Sequence, residues 1–198
     1  MRKIKLPLPE KDFPLNQLLS KRKSERKFKN QPLDIHQIGE LLWAGLGKSN
    51  ENFTIPSAGA LYPLELFILV GEETDFLAKG LYYYDKNNHL LEKLIEKDLR
   101  RDLSSACLNQ TFIEEAPISI IISASYPLTT SVYGKRGIRY VDMEVGHSCQ
   151  NIYLKAEELN LSTVEIGAFS EEEVKRLLYP IAERKLEIIA IMPIGYPG

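Results

Sequence analysis

Cysteine is scarce in this chain: Cys107 and Cys149 are the only two in 198 residues. Two thiols cannot staple a small fold into a disulfide framework, so the chain has to bury an apolar core, and a reducing cytoplasmic location is expected. Histidine occurs three times, and neither it nor cysteine falls at a zinc-ligand spacing. Charge of one sign is not in excess, with 25 Lys and Arg against 27 Asp and Glu. Sequence-blind nucleic-acid binding needs a large basic surplus and is not expected. The longest apolar runs, such as residues 188–193, are far shorter than the roughly 20 residues that span a bilayer, so no membrane segment is expected. The basic start, residues 1–8, is not followed by the apolar stretch of a secretory leader. No repeat, low-complexity tract or linker breaks the chain. One domain over residues 1–198 is expected, with 1–14 as an N-terminal arm.

What is present is a globular composition, 44% hydrophobic and 26% charged. Asp34 and Gln37 form a capping box ahead of a helix whose Ile35, Ile38, Leu41, Leu42 and Gly45 share one face, and Gly45 and Gly47 are read as its end. Residues 48–54 read as a polar loop. Leu64 to Val70 is a strand. Residues 80–84 and 89–91 flank Asp85-Lys86-Asn87-Asn88 as a hairpin. Leu99 to Cys107 is helical, and Ile118 to Ala124 is a β-branched strand. Residues 140–159 give the strongest helical periodicity, stopped at Asn160. A strand is expected over 161–166, a helix capped by Ser170 and ended by Pro180, and a last strand over 186–194. The order mixes helices and strands without βαβ alternation, so the fold class is α+β rather than doubly wound.

Several short patterns carry no chemistry. Gly47-Lys48-Ser49 follows a helix and has Leu42 where a phosphate-binding loop needs glycine, and no Gly-x-Gly-x-x-Gly follows a strand. Glu144 and His147 lack the second such pair that a di-metal site requires, so no metal is expected. His147 and Cys149 diverge on a helix, and Cys149 falls in the apolar stripe, as a structural thiol does.

Three segments are more informative. Residues 1–30 hold ten basic groups and three acidic ones. Within them Arg22, Ser24 and Arg26 alternate, so an extended segment presents two guanidiniums and a hydroxyl on one side, a set that suits a phosphate monoester. Pro56-Ser57-Ala58-Gly59-Ala60-Leu61-Tyr62-Pro63 is a stiff loop of small residues that lets its backbone approach a flat ligand. Residues 161–169 end a strand in Gly167-Ala168 ahead of a helix start, where backbone N–H groups can face a ligand.

Three further blocks stand in order with these: Leu41-Leu42-Trp43-Ala44-Gly45-Leu46-Gly47, then Gly80-Leu81-Tyr82-Tyr83-Tyr84-Asp85, then Tyr133 to Tyr140 leading into Glu144-Val145-Gly146-His147-Ser148-Cys149-Gln150-Asn151. Over about residues 18–197 the chain resembles the nitroreductase-like FMN oxidoreductase superfamily, and within it the SagB-type branch that includes azoline dehydrogenases. The resemblance implies an α+β sandwich, with a mostly antiparallel sheet flanked by helices, and a homodimer with FMN at its interface. It places Arg22, Lys23, Ser24 and Arg26 on the phosphate and ribityl chain. Pro56, Ser57, Ala58, Gly59 and Ala60 of a second copy would lie near the flavin. Glu165, Ile166, Gly167 and Ala168 would present backbone donors to its reactive edge, with Gln150 reaching the same site.

The implied activity is two-electron transfer from a reduced nicotinamide, NADH or NADPH, to a small organic acceptor. The flavin carries such chemistry, which agrees with the lack of an acid–base dyad or catalytic triad. An azoline-to-azole peptide dehydrogenase and a non-enzymatic flavin-binding protein are the alternatives. Two departures from the family pattern stand out. Residues 194–198 add no basic groups, leaving the phosphate charge to the N-terminal cluster, and Val132 precedes Tyr133 where azoline dehydrogenases tend to carry lysine.

Overall fold

Leu64–Val70 carries one polar residue, Glu65, and Ile118–Ala124 only Ser119 and Ser123, so neither strand has a wholly polar face for water and both must be covered twice. The computed structural model, which describes residues 3–74 and 76–198, does this with helices on both faces of one sheet. In chain order the elements are α1 (Pro14–Lys21), α2 (Ile35–Leu46), β1 (Lys48–Ser49), β2 (Asn52–Phe53), a 3₁₀ turn (Ala58–Ala60), β3 (Leu64–Val70), β4 (Gly80–Asp85), β5 (Leu90–Ile95), α3 (Arg100–Ala106), α4 (Phe112–Glu115), β6 (Ile118–Ala124), α5 (Tyr126–Tyr133), α6 (Arg136–Glu158), β7 (Ser162–Thr163), α7 (Glu171–Leu177), α8 (Tyr179–Glu183) and β8 (Glu187–Gly195).

The main sheet runs β5-β4-β3-β6-β8-β7, and every neighbouring pair is antiparallel. Strand alternation divides the core. Leu64, Leu66, Ile68 and Val70 join Ile118, Ile120 and Ile122 against α2 and α6, while Phe67, Leu69 and Ile121 pack with residues of α3, α7 and α8. The α+β class and the antiparallel sheet flanked by helices are therefore as expected.

The Asp34–Gln37 capping box is closed in both directions, at 2.8 and 3.1 Å, and Asn160 takes the left-handed conformation (φ 56°) that ends the long helix. Other expectations need correction. Gly45 does not end α2. It lies inside the helix, and a Cβ there would stand 3.0 Å from Ile152 and 3.1 Å from Leu66, so its role is to let α2 approach α6 and β3. The polar loop at 48–54 contains the small β1–β2 hairpin. Pro180 does not end a helix but opens α8, where its missing N–H is no loss.

The strand expected over 161–166 pairs regularly only at Ser162–Thr163 and again at Ile166, which exchanges two bonds with Ile191 (2.8 and 3.0 Å). The register is the same on both sides of this break. The residue between, opposite Val164, is Pro193, which has no N–H to give the ladder; the Thr163 hydroxyl donates to its carbonyl at 2.9 Å instead.

Replacing Gly45 with leucine should force Ile152 and Leu66 apart and cost about 1–3 kcal/mol of stability, read as a lowered urea midpoint at unchanged slope.

Candidate functional site

The basic arm is held in place by backbone bonds. Glu25 N–H donates to Thr163 O (2.9 Å), Lys29 N–H to Tyr196 O (2.9 Å), and Gly198 N–H to Lys27 O (3.1 Å). The arm thus runs along the outer edge of β7 and the residues after β8. Lys23 turns to Glu25 (2.8 Å) and is 70% exposed. Among the described residues neither Arg22 nor Arg26 is paired with a carboxylate.

The centre of this region is a side chain that sequence reasoning missed. Tyr153 of α6 is buried, and its hydroxyl accepts the Glu165 N–H at 2.8 Å and meets Ser24 Oγ at 3.1 Å. Since the phenol oxygen already accepts from Glu165, its own proton is free for Ser24. The Arg22 guanidinium lies over the same ring, 5.2 Å from its centroid. One phenol therefore brings together Arg22, Ser24 and Glu165. The available signal was a tyrosine three residues past Gln150, next to the apolar stripe of the helix, because a buried phenol must find a partner.

Beyond Glu165, Ile166 is buried and locked to β8, whereas Gly167 and Ala168 are exposed. A Cβ at Gly167 would meet nothing within 4 Å, and the same holds for Gly146 on the exposed side of α6. Gln150, half-buried, lies one turn beyond Gly146 and one turn before Tyr153, on the same stripe of the helix. Cys149 is 1% exposed, and burial, with Glu165 nearby, pushes its thiol far above the ordinary range, as a structural cysteine requires.

The Pro56–Ala60 loop stands elsewhere on α6. Pro56, Ser57 and Ala58 line a cavity of about 260 Å³ with Tyr140, Met143 and His147. Nine residues separate Glu144, which borders that cavity, from Tyr153, a rise of about 13 Å along a helix. Within one chain the structure joins the arm to residues 165–168 and leaves the 56–60 loop apart. A cavity of about 640 Å³ between α2 and the β4–β5 hairpin involves none of these segments. Large apolar side chains are exposed on α5 and α6 (Leu128, Val132, Tyr133, Ile138, Met143) and on α1 (Leu15, Leu19).

The donor set fits riboflavin phosphate in its parts. Two unpaired guanidiniums and a serine hydroxyl suit a phosphate, and open space over Gly146 and Gly167 leaves backbone that a flat ring can approach. Among the described residues no helix is long and apolar enough to cross a membrane.

Comparison with known proteins gives a match to the family model described as "Nitroreductase family" over residues 19–196. The chain is 38% identical over 199 residues to MJ1384 of Methanocaldococcus jannaschii, a nitroreductase by name, covering 97% of this chain and 96% of that protein. It is 26% identical over 128 residues to the trifolitoxin-processing protein TfxB of Rhizobium leguminosarum, covering 63% of this chain and 34% of TfxB. Among solved structures, a protein of Ralstonia eutropha JMP134 that is also a nitroreductase by name superimposes with a TM-score of 0.80 at 27% identity, covering 98% of this chain and 88% of that one.

Tyr153→Phe should leave the Glu165 N–H without its acceptor and release Ser24. A loss of about 1–3 kcal/mol in chemical denaturation is expected, with faster amide exchange confined to residues 22–26 and 163–166.

Proposed function

The chain belongs to the nitroreductase family, and from that premise we propose that it is an FMN-dependent oxidoreductase moving two electrons between a reduced nicotinamide and a small organic acceptor. Family and fold support an oxidoreductase. The observation that carries the FMN reading is the Tyr153 hydroxyl, which links the arginine-bearing arm to the segment ending in Gly167-Ala168.

When bound, FMN supplies the hydride chemistry. Arg22 and Arg26 neutralise its phosphate and Ser24 adds a hydroxyl, with Lys23 contributing charge from its pair with Glu25. The N–H groups of Gly167 and Ala168, which have no acceptor among the described residues, stabilise negative charge at the ring edge. Gln150 extends from the same face of α6. Glu165 serves through its backbone, and Ile166 fixes the turn by its bonds to Ile191.

The loop of Pro56, Ser57, Ala58, Gly59 and Ala60 is read as coming from a second copy, as the family resemblance implies; in one chain it borders a stretch of α6 about 13 Å from Tyr153. A homodimer buries the exposed apolar side chains of α1, α5 and α6 at the same time. Two buried, unpaired cysteines suit a cytoplasmic location.

The similarity to TfxB favours a second reading, an azoline-to-azole peptide dehydrogenase. That reaction runs electrons from peptide to flavin, and Val132 stands where the branch tends to carry lysine.

The purified protein should show flavin absorption in the visible, release FMN on denaturation, and turn over NADH or NADPH with a quinone or nitroaromatic. A colourless protein that neither binds FMN nor turns over would refute the reading; thiazoline-peptide oxidation without nicotinamide turnover would favour the second. Arg22→Ala and Arg26→Ala should each weaken FMN binding by about 1.5–3 kcal/mol, roughly 10- to 100-fold, measured by flavin fluorescence titration.

A further inference from the structure

Glu144 has no part in the site described above, yet it is 2% exposed, and its Oε1 has no hydrogen-bond partner among the described residues. It borders the cavity lined by Pro56, Ser57 and Ala58, so its carboxyl and the Ser57 hydroxyl face the same space.

The loop above it is strained. Gly59 (φ 62°), Ala60 (φ 53°) and Tyr62 (φ 48°) are all left-handed, a conformation that alanine and tyrosine rarely adopt. Such a turn persists only where its surroundings hold it. Ser57 Oγ accepts the Tyr62 N–H at 2.8 Å, which leaves the serine proton uncommitted. Lys86, itself buried, donates to Tyr62 O (3.2 Å) and Leu64 O (2.7 Å) from the far side. Gly59 is covered by Tyr133, whose hydroxyl would stand 2.7 Å from a Cβ added there.

We propose that Glu144 is a positioning residue for the loop read above as flavin-facing: through the Ser57 hydroxyl its buried carboxyl holds the left-handed turn in the shape the cofactor meets. The functional meaning rests on the FMN reading, but the dependence of the loop on Glu144 can be measured in flavin-free protein.

Burial pushes the Glu144 carboxyl up to about 7, against opposing pulls from Ser57 and Lys86. The groups around it are Lys86 from the β4–β5 turn, Ser57 from the loop, Tyr140 and His147 from α6, and Tyr133 of α5 across Gly59. The closed loop binds a proton that the opened loop gives up near the ordinary value of 4.5. Opening therefore becomes easier as pH rises from about 4.5 to about 7 and levels off above that.

Hydrogen exchange of residues 55–64, corrected for the intrinsic pH dependence of amide exchange, tests this in flavin-free wild type, Glu144→Gln, Glu144→Leu, Ser57→Ala and His147→Gln. Wild-type protection should fall at least about tenfold between pH 5 and 7.5. Glu144→Gln, neutral and of the same size, should keep the protection and abolish the fall. Glu144→Leu and Ser57→Ala should lower protection at every pH, with β3 and β6 unchanged, while His147→Gln should retain the wild-type profile. A wild-type pH profile in Glu144→Gln, or undisturbed loop protection in Glu144→Leu and Ser57→Ala, would overturn the proposal. In parallel, Glu144→Leu should weaken FMN binding at least tenfold. If wild type binds no FMN, the flavin reading fails by itself, and the exchange data still decide the role of Glu144.

Discussion

A single phenol hydroxyl on α6 sets the geometry on which the candidate site depends. Tyr153 accepts the Glu165 N–H and bonds Ser24, while its ring lies beneath the Arg22 guanidinium. Segments more than a hundred residues apart in the chain thereby meet at one buried point. The edge position of β7 contributes to this. Thr163 and Glu165 alternate with the residues whose backbone faces β8, so their own backbone groups point outward. Thr163 O receives the Glu25 N–H from the arm, and Glu165 N–H turns to Tyr153. An open sheet edge and a polar atom on a helix together make a place where charge and backbone donors converge.

The long helix α6 organises more than that one point. Its inner face carries Val141, Val145, Cys149 and Ile152 into the core. Gly45 lets α2 close on it from one side. Its outer stripe, Gly146 and Gln150, stays uncrowded up to Tyr153. Near its start, Glu144 lies beneath the Pro56–Tyr62 loop. A rigid helix keeps these two stations a fixed distance apart. The exposed apolar side chains of α1, α5 and α6 give the second copy of the proposed site a surface to cover.

Polar burial is concentrated around the same loop. Lys86 is 8% exposed and spends its ammonium on two carbonyls and on Glu65 (3.3 Å), while Glu65 also accepts the Tyr83 hydroxyl at 3.0 Å. Buried charges of this kind add little net stability compared with apolar packing. Their value is geometric, since they hold the left-handed conformations of Gly59, Ala60 and Tyr62 that the loop alone would not keep.

The α+β class was legible in the sequence. The strand-forming segments at 64–70 and 118–124, helical periodicity through 140–159, and the Asp34 box are local patterns, and local patterns dictate local structure. The alternation of Arg22, Ser24 and Arg26 is likewise legible before any fold is known, and it is the basis of the phosphate site proposed above. It takes the folded chain to show that Gly45 is a packing residue, that Pro180 starts a helix, that Pro193 interrupts a strand ladder, and that Tyr153 and Glu144 mark two separate stations on one helix. Each of these depends on a neighbour distant in sequence: Ile152 for Gly45, Val164 for Pro193, Ser24 and Glu165 for Tyr153, Ser57 for Glu144. Periodicity reports which side of an element is apolar; it does not report which polar atom from elsewhere will be waiting there.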